Sequence, residues 1–212
     1  ANLGREPSTP MQINLYGTQA ELQAGLPWSV PAWRYEEGPA VYWQPGESIK
    51  LVLPNSLTPA QDRVREAVAR RVALQILSDL GVQDDWLREG VAAFEVLRAC
   101  PALANSIKSQ YIPVLGEAQR FHRLYTWQEM PTLDMLAREN VALFSGQSWL
   151  FVEEVARRYG LPALQRLLAA SSWRGGGSEL NAAFEAATGT PLAEWQTAWE
   201  QAVATGGVPT EW

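Results

Sequence analysis

The chain has 212 residues, 47% of them hydrophobic, and a formal net charge of −6 from 17 basic and 23 acidic side chains, which suffices for the core of one generous domain or two small ones. Its basic residues are scattered singly or in pairs, so the clustered positive field demanded by a phosphate backbone is missing and nucleic acid is not expected as a partner. Apolar runs fall short of the roughly 18 residues that cross a bilayer, so no membrane-spanning segment is expected, and a lone cysteine, Cys100, excludes an internal disulfide.

In chain order, strands come first and helices after. MQINLY (11–16) sets Met11, Ile13 and Leu15 against Gln12 and Asn14, the period of a half-buried strand. A short helix is expected next. Residues 27–47 mix proline, glycine and aromatics, with AVYW (40–43) as a strand, and SIKLVLP (48–54) alternates again before Pro54-Asn55-Ser56 breaks it. Thr58 reads as an N-cap with Pro59 at the first helical position, opening a helix that runs to about Gly81. Val64, Val68, Val72 and Ile76 recur every fourth residue and mark its apolar stripe.

Helical patterns then follow at 86–99, 137–160, 161–170, 178–189 and 191–204, with a looser region over 101–136 and Gly160 as a C-terminal cap. Gly175 to Gly177 mark a flexible loop. The fold class expected is α+β, predominantly helical, with a small N-terminal sheet followed by a helical bundle. Residues 1–10 lead in, 11–57 form a small β-rich subdomain and 58–204 a helical one. The two make a single integrated domain over 11–204, and 205–212 form a flexible tail.

DRVREAVARRVALQIL (62–77) and DDWLREGVAAF (84–94) carry the functional message. The second run resembles the P-x-W-L-x-E-G-x-A signature of gluzincin metallopeptidases, in which a preceding helix bears HExxH. SGQSWLFVEEVARRYG followed by SELNAAFEAATGTPLAEWQTAW is similar to the ending of the peptidase MA-like branch, and IxLYxxxxELQxGLP to its opening, so the resemblance covers nearly the whole chain. It implies a gluzincin-like helical bundle with a degenerate motif. Arg70 and Leu74 stand at the two histidine positions, Arg71 at the catalytic glutamate, and only Glu89 survives as the third metal ligand. Ser145 stands where many relatives have a tyrosine. Glu89 follows Leu74 by 15 residues, a shorter spacing than many relatives show, and a second register, REAVA at 65–69, keeps Glu66 as base but leaves Arg65 and Ala69 for the ligands.

In the family, two histidines one turn apart and a glutamate from the next helix hold zinc and leave a fourth position for water. A guanidinium at the first position places a permanent cation where the metal belongs, and leucine has no lone pair to donate. No metal, cofactor or catalytic residue is therefore expected. Glu89 is either an ordinary solvated residue or turns inward to pair with Arg70, whose fork fills the vacated cation position.

The remaining candidates read as structural. His122 between two arginines lacks a partner, Cys100 lacks a histidine and acid, and Ser148 lacks the second glycine of a nucleophile elbow. Asp84 with Asp85 and Glu153 with Glu154 are sequence neighbours that diverge on a helix, as solvated faces or caps do. Trp86, Trp149, Trp195 and Trp199 lie in helical patterns and are expected in the core. Trp28, Trp33, Tyr42 and Trp43 crowd a proline- and glycine-rich segment and either pack it or form an aromatic platform for a peptide.

The expected function is that of a catalytically inactive metallopeptidase-like domain serving as a protein- or peptide-binding or scaffolding module. SIKLVLP would offer a strand edge to its ligand. A hydrolase with an unidentified non-zinc site and a structural subunit of a larger assembly are the alternatives. A start at Ala1 fits a processed chain, and an extracytoplasmic or secreted location is the expectation.

Overall fold

The structure, a computed structural model, describes residues 3–4, 6–8, 10–24, 41–42, 49–52, 57–127, 130–170 and 177–204. Strand β1 (Ile13–Tyr16) and helix α1 (Gln19–Ala24) are followed by β2 (Val41–Tyr42) and β3 (Ile49–Val52). Seven helices complete the order: α2 (Leu57–Asp79), α3 (Asp85–Ala99), α4 (Pro101–Arg120), α5 (Val141–Tyr159), α6 (Leu161–Ala170), α7 (Gly177–Thr188) and α8 (Leu192–Ala204). The fold is predominantly helical. Its strands pair in the order β1-β3-β2, with Ile13 opposite Ile49 in the parallel pair and Val41 opposite Leu51 in the antiparallel one.

Two expectations for the sheet are overturned. SIKLVLP contributes the central strand, bonded on both sides, so it has no open edge to offer an incoming peptide; among the described residues β1 and β2 are the outer strands. Within β1, Ile13 and Leu15 are 44% and 59% exposed while Asn14 and Tyr16 are half-buried, the reverse of the inward face expected. Alternation defines two faces but not the one that gets covered. Met11, just ahead of the strand, does turn inward and packs with Ala67, Val64 and Val68.

Helix α2 ends as its sequence demands. Gly81 has φ of 77°, its N–H bonds Ser78 O at 2.9 Å, and Val82 N–H bonds Leu77 O at 3.0 Å. This is a Schellman turn, which satisfies the last carbonyls at a position where glycine carries no penalty. The valine stripe is less buried than its spacing suggests. Val64, Val68 and Val72 are half-buried, and full burial falls on Ala73, Leu74, Ile76 and Leu77 in the C-terminal half.

The region 101–136 contains a 20-residue helix, α4, where a looser chain was expected. Pro113 and Gly116 are internal to it. Proline costs the helix one N–H and glycine lowers its propensity, so both read as breakers in the sequence, yet burial of Leu115 and Ala118 holds the helix together. Helix α5 starts at Val141, four residues later than expected, because Arg138–Asn140 form a tighter 3-10 turn closed by Asn140 N–H to Ala137 O at 2.9 Å.

Helix α5 is the central element, packed on α3, α4 and α6. Its Phe151 lies 5.0 Å from Trp86, 4.9 Å from Trp127, 5.1 Å from Trp195 and 5.9 Å from Phe184, ring centre to ring centre. Trp149 and Trp199 are buried too, so the four helical tryptophans fill the core as their positions imply. Gly90 of α3 meets the backbone of α5, and a Cβ there would lie 2.3 Å from Ser148 O. Gln147, fully buried, accepts from Tyr125 N–H at 3.0 Å and donates to Tyr125 O at 2.6 Å, which pins the α4–α5 connection to α5.

Glu154 departs from the solvated face expected of it. It is 3% exposed and takes charge-assisted hydrogen bonds from both Arg157 and Arg158, one turn on. Glu153 accepts a bond from Trp149 Nε1 at 3.1 Å, and its burial raises its pKa.

Candidate functional site at the α2–α3 hairpin

The Schellman turn reverses the chain, so the residues ahead of it on α2 face those behind it on α3. Arg70 and Glu89 meet across this hairpin. Arg70 Nη2 donates to both carboxylate oxygens of Glu89, with side chains 30% and 12% exposed. Of the two readings left open for Glu89, the inward pair is the one the structure contains. Burial works against the guanidinium charge, but the Glu89 carboxylate outweighs it, leaving the pKa of Arg70 raised.

Two further helices close the site. Tyr111, from α4, lies within electrostatic reach of Arg70, Glu89 and Glu66; burial raises its pKa, Arg70 opposes that, and a hydrogen bond with Ser145 of α5 also opposes it. The ring is seated by Gly146, where a Cβ would come within 3.1 Å of Tyr111 Cβ, and it lies 6.1 Å from the Trp149 ring. Tyr111 was not singled out from the sequence. Ile107, Tyr111 and Leu115 at spacing four were the available signal, hidden by Pro113.

Of the sequence-marked positions, the structure brings Arg70, Glu89 and Ser145 into one cluster, with Glu66 a turn before Arg70. Leu74, 8% exposed, joins the main core, and Arg71 is half-buried. Trp28, Trp33 and Trp43 lie outside the described residues, and Tyr42 is the β2 residue paired with Lys50. The cluster holds a cation, two carboxylates, a phenol and a hydroxyl. Such a set can present hydrogen-bond donors and acceptors.

Elsewhere, Cys100 and Ser148 are buried in the packing. His122 has φ of 52° and ends α4 in the left-handed position, its N–H on Gln119 O at 3.0 Å and the Arg123 N–H on Ala118 O at 2.7 Å. Its side chain lines an open cleft of about 490 Å³ with Gln119, Leu124, Thr197, Glu200 and Gln201. Asp85 accepts Leu133 N–H at 3.0 Å, tethering the α4–α5 connection to the start of α3. Among the described residues no three His, Cys, Asp or Glu side chains are grouped so as to hold a metal ion, and no helix is long and apolar enough to cross a membrane. No family model, curated protein or solved structure matches this chain.

Proposed function

We propose that this chain is a catalytically inactive, metallopeptidase-like domain that works as a protein- or peptide-binding or scaffolding module. The observation that carries the reading is the Arg70–Glu89 pair. Glu89, the one metal-ligand position retained, pairs with the residue that stands at the first histidine position. This supports the HExxH register that begins at Arg70 over the one that begins at Arg65. A guanidinium there satisfies the carboxylate that would otherwise be a metal ligand, and it stays charged at every physiological pH. Among the described residues β1 and β2 flank the sheet, and in this reading an extended segment would add beside one of them, the role first assigned to β3.

The ancestry is tested by restoring the motif. In the triple variant Arg70→His, Arg71→Glu, Leu74→His, both imidazoles lie on one face of α2 opposite Glu89. The expected result is one zinc per chain by calorimetry and elemental analysis for the variant and none for the parent. Stoichiometric zinc in the parent protein, lost together with a peptidase activity on chelation, overturns the proposal.

A further inference from the structure

Ahead of β1, an N-terminal arm runs from α6 to the end of α2. Leu3 is 6% exposed and joins the main core. Gly4 beside it has φ of 69° and lies against α6, where a Cβ would come within 2.9 Å of Gln165 Nε2. At the other end of the arm, Ser8 N–H donates to Asp79 Oδ2 at 2.7 Å, and Asp79 Oδ1 accepts from Gln75 Nε2 at 2.8 Å. A cleft of about 360 Å³ continues past Leu3 and Gly4, walled by Leu80, Pro162, Gln165 and Leu168, so the arm leaves part of this groove open.

The attachment of the arm is local. Gly4, Glu6 and Ser8 are exposed and Pro7 is half-buried, so little surface is covered between its ends. One buried leucine and one charge-assisted hydrogen bond stand against the entropy of ordering the backbone from Leu3 to Ser8, which per residue is as large as the net worth of a hydrogen bond. Docked and undocked arms therefore lie close in free energy, the condition for local opening without unfolding. Met11 packs with Ala67, Val64 and Val68, which places the hinge ahead of it. An undocked arm uncovers a socket for leucine, a position suited to left-handed backbone and a carboxylate that accepts an N–H. The complement is an extended segment with leucine, then glycine, then a backbone N–H four residues on. We propose that the stretch from Leu3 to Ser8 is a displaceable strap over the α2–α6 groove, and that the groove takes a leucine-glycine segment of another protein in its place. The inference rests on the reading of the chain as a protein-binding module and adds a site separate from the Arg70–Glu89 pair.

The probe is acetyl-ANLGREPS-amide, the arm's own sequence, titrated into uniformly ¹⁵N-labelled full chain while the Leu80 amide resonance is followed. A short tether gives an effective concentration on the order of 1 mM, and an arm docked in about ten molecules of eleven weakens a competing peptide about tenfold. In the full-length Leu3→Asp variant, whose arm cannot dock, the peptide is expected to bind with a Kd of about 0.1 mM, about tenfold tighter than in the parent. The same peptide with valine in place of its glycine is expected to bind neither. Ser8→Pro removes the N–H bonded to Asp79 and leaves Leu3 in place; it should shift the affinity in the same direction and keeps the test if Leu3→Asp does not fold. By hydrogen exchange, the Ser8 N–H of the parent should be protected only about tenfold, far less than the Val82 N–H in the turn after α2. Equal affinity in the parent and the folded variants, no saturable shift in those variants, a valine peptide that binds as well, or a Ser8 N–H as protected as that of Val82 each overturns the inference. The zinc experiment has an independent readout: zinc in the restored variant without a peptide shift rejects this inference alone, and the converse rejects the ancestry alone.

Discussion

Replacing Gly90 with alanine sets two effects of opposite sign against each other. Alanine in mid-helix is favoured over glycine by about 1 kcal/mol, so propensity alone makes α3 more stable. Against that, the new Cβ would lie 2.3 Å from Ser148 O, 2.7 Å from Ser148 C and 2.9 Å from Val152 Cγ2. The first two are backbone atoms of α5, which cannot rotate away. Relief requires α3 and α5 to part by about 1 Å, and a gap of that size forfeits a quarter to a half of the attraction in the contacts around it. Overpacking that shifts side chains and backbone commonly costs about 1–3 kcal/mol, and contacts this short place Gly90 at the upper end, so the net change is a loss of about 2 kcal/mol. For a chain of this length that corresponds to a fall in Tm of about 4–8 °C. Urea unfolding followed by circular dichroism should show a lower midpoint at an unchanged slope. Gly116→Ala is the internal control: nothing lies within 4 Å of its Cβ position, so it should gain about 0.5–1 kcal/mol. A Gly90→Ala protein as stable as the parent would show that the two helices do not approach as described.

Three other outcomes follow from the same coordinates. Glu89→Gln leaves Arg70 partly buried without its counter-charge and should cost about 1–3 kcal/mol, between the surface and buried limits for such pairs; a double-mutant cycle with Arg70→Met isolates the pair, and a coupling near zero contradicts it. Burial works to raise the pKa of Glu154, but hydrogen bonds from Arg157 and Arg158 outweigh it and hold the carboxyl below its ordinary range. The stability it contributes is therefore complete above the ordinary carboxylate pKa and lost as pH falls through the lowered value. Glu154→Gln should lower stability at pH 7 and flatten the acid limb of the stability–pH curve, and a parallel acid limb would dismiss the pairing. His122→Gly removes the left-handed penalty at an exposed position and should raise stability by about 1 kcal/mol, which denaturant titration will check.

What the sequence conveyed and what it hid have separate physical causes. Helices α3, α6, α7 and α8 were readable because each has a one-sided apolar period, and α7 also a local stop at Gly189. Helix α4 was hidden because Pro113 and Gly116 argue locally against a helix that tertiary burial sustains. The covered face of β1 was mistaken because alternation is symmetric between its two sides, and only the docked layer distinguishes them. Glu154 was mistaken because adjacent acids usually face water, and its partners are recognisable only once one turn of α5 is closed. At the site, the resemblance of the WLxEG run and of the preceding helix offered an Arg70–Glu89 pair as one of two readings, and only the folded hairpin decides between them. Tyr111 enters from a third helix, at a sequence distance that no local spacing encodes.

The position of α5 also governs the order in which this protein can acquire its shape during synthesis. The aromatic face of α3 emerges from the ribosome more than 40 residues before Val141–Tyr159, the helix that covers it. Until that helix leaves the exit tunnel, Trp86 and Phe94 lack Phe151 and the rest of α5 against them. A nascent chain ending short of Val141 therefore leaves this apolar face without its main cover, and its burial waits on translation of the second half.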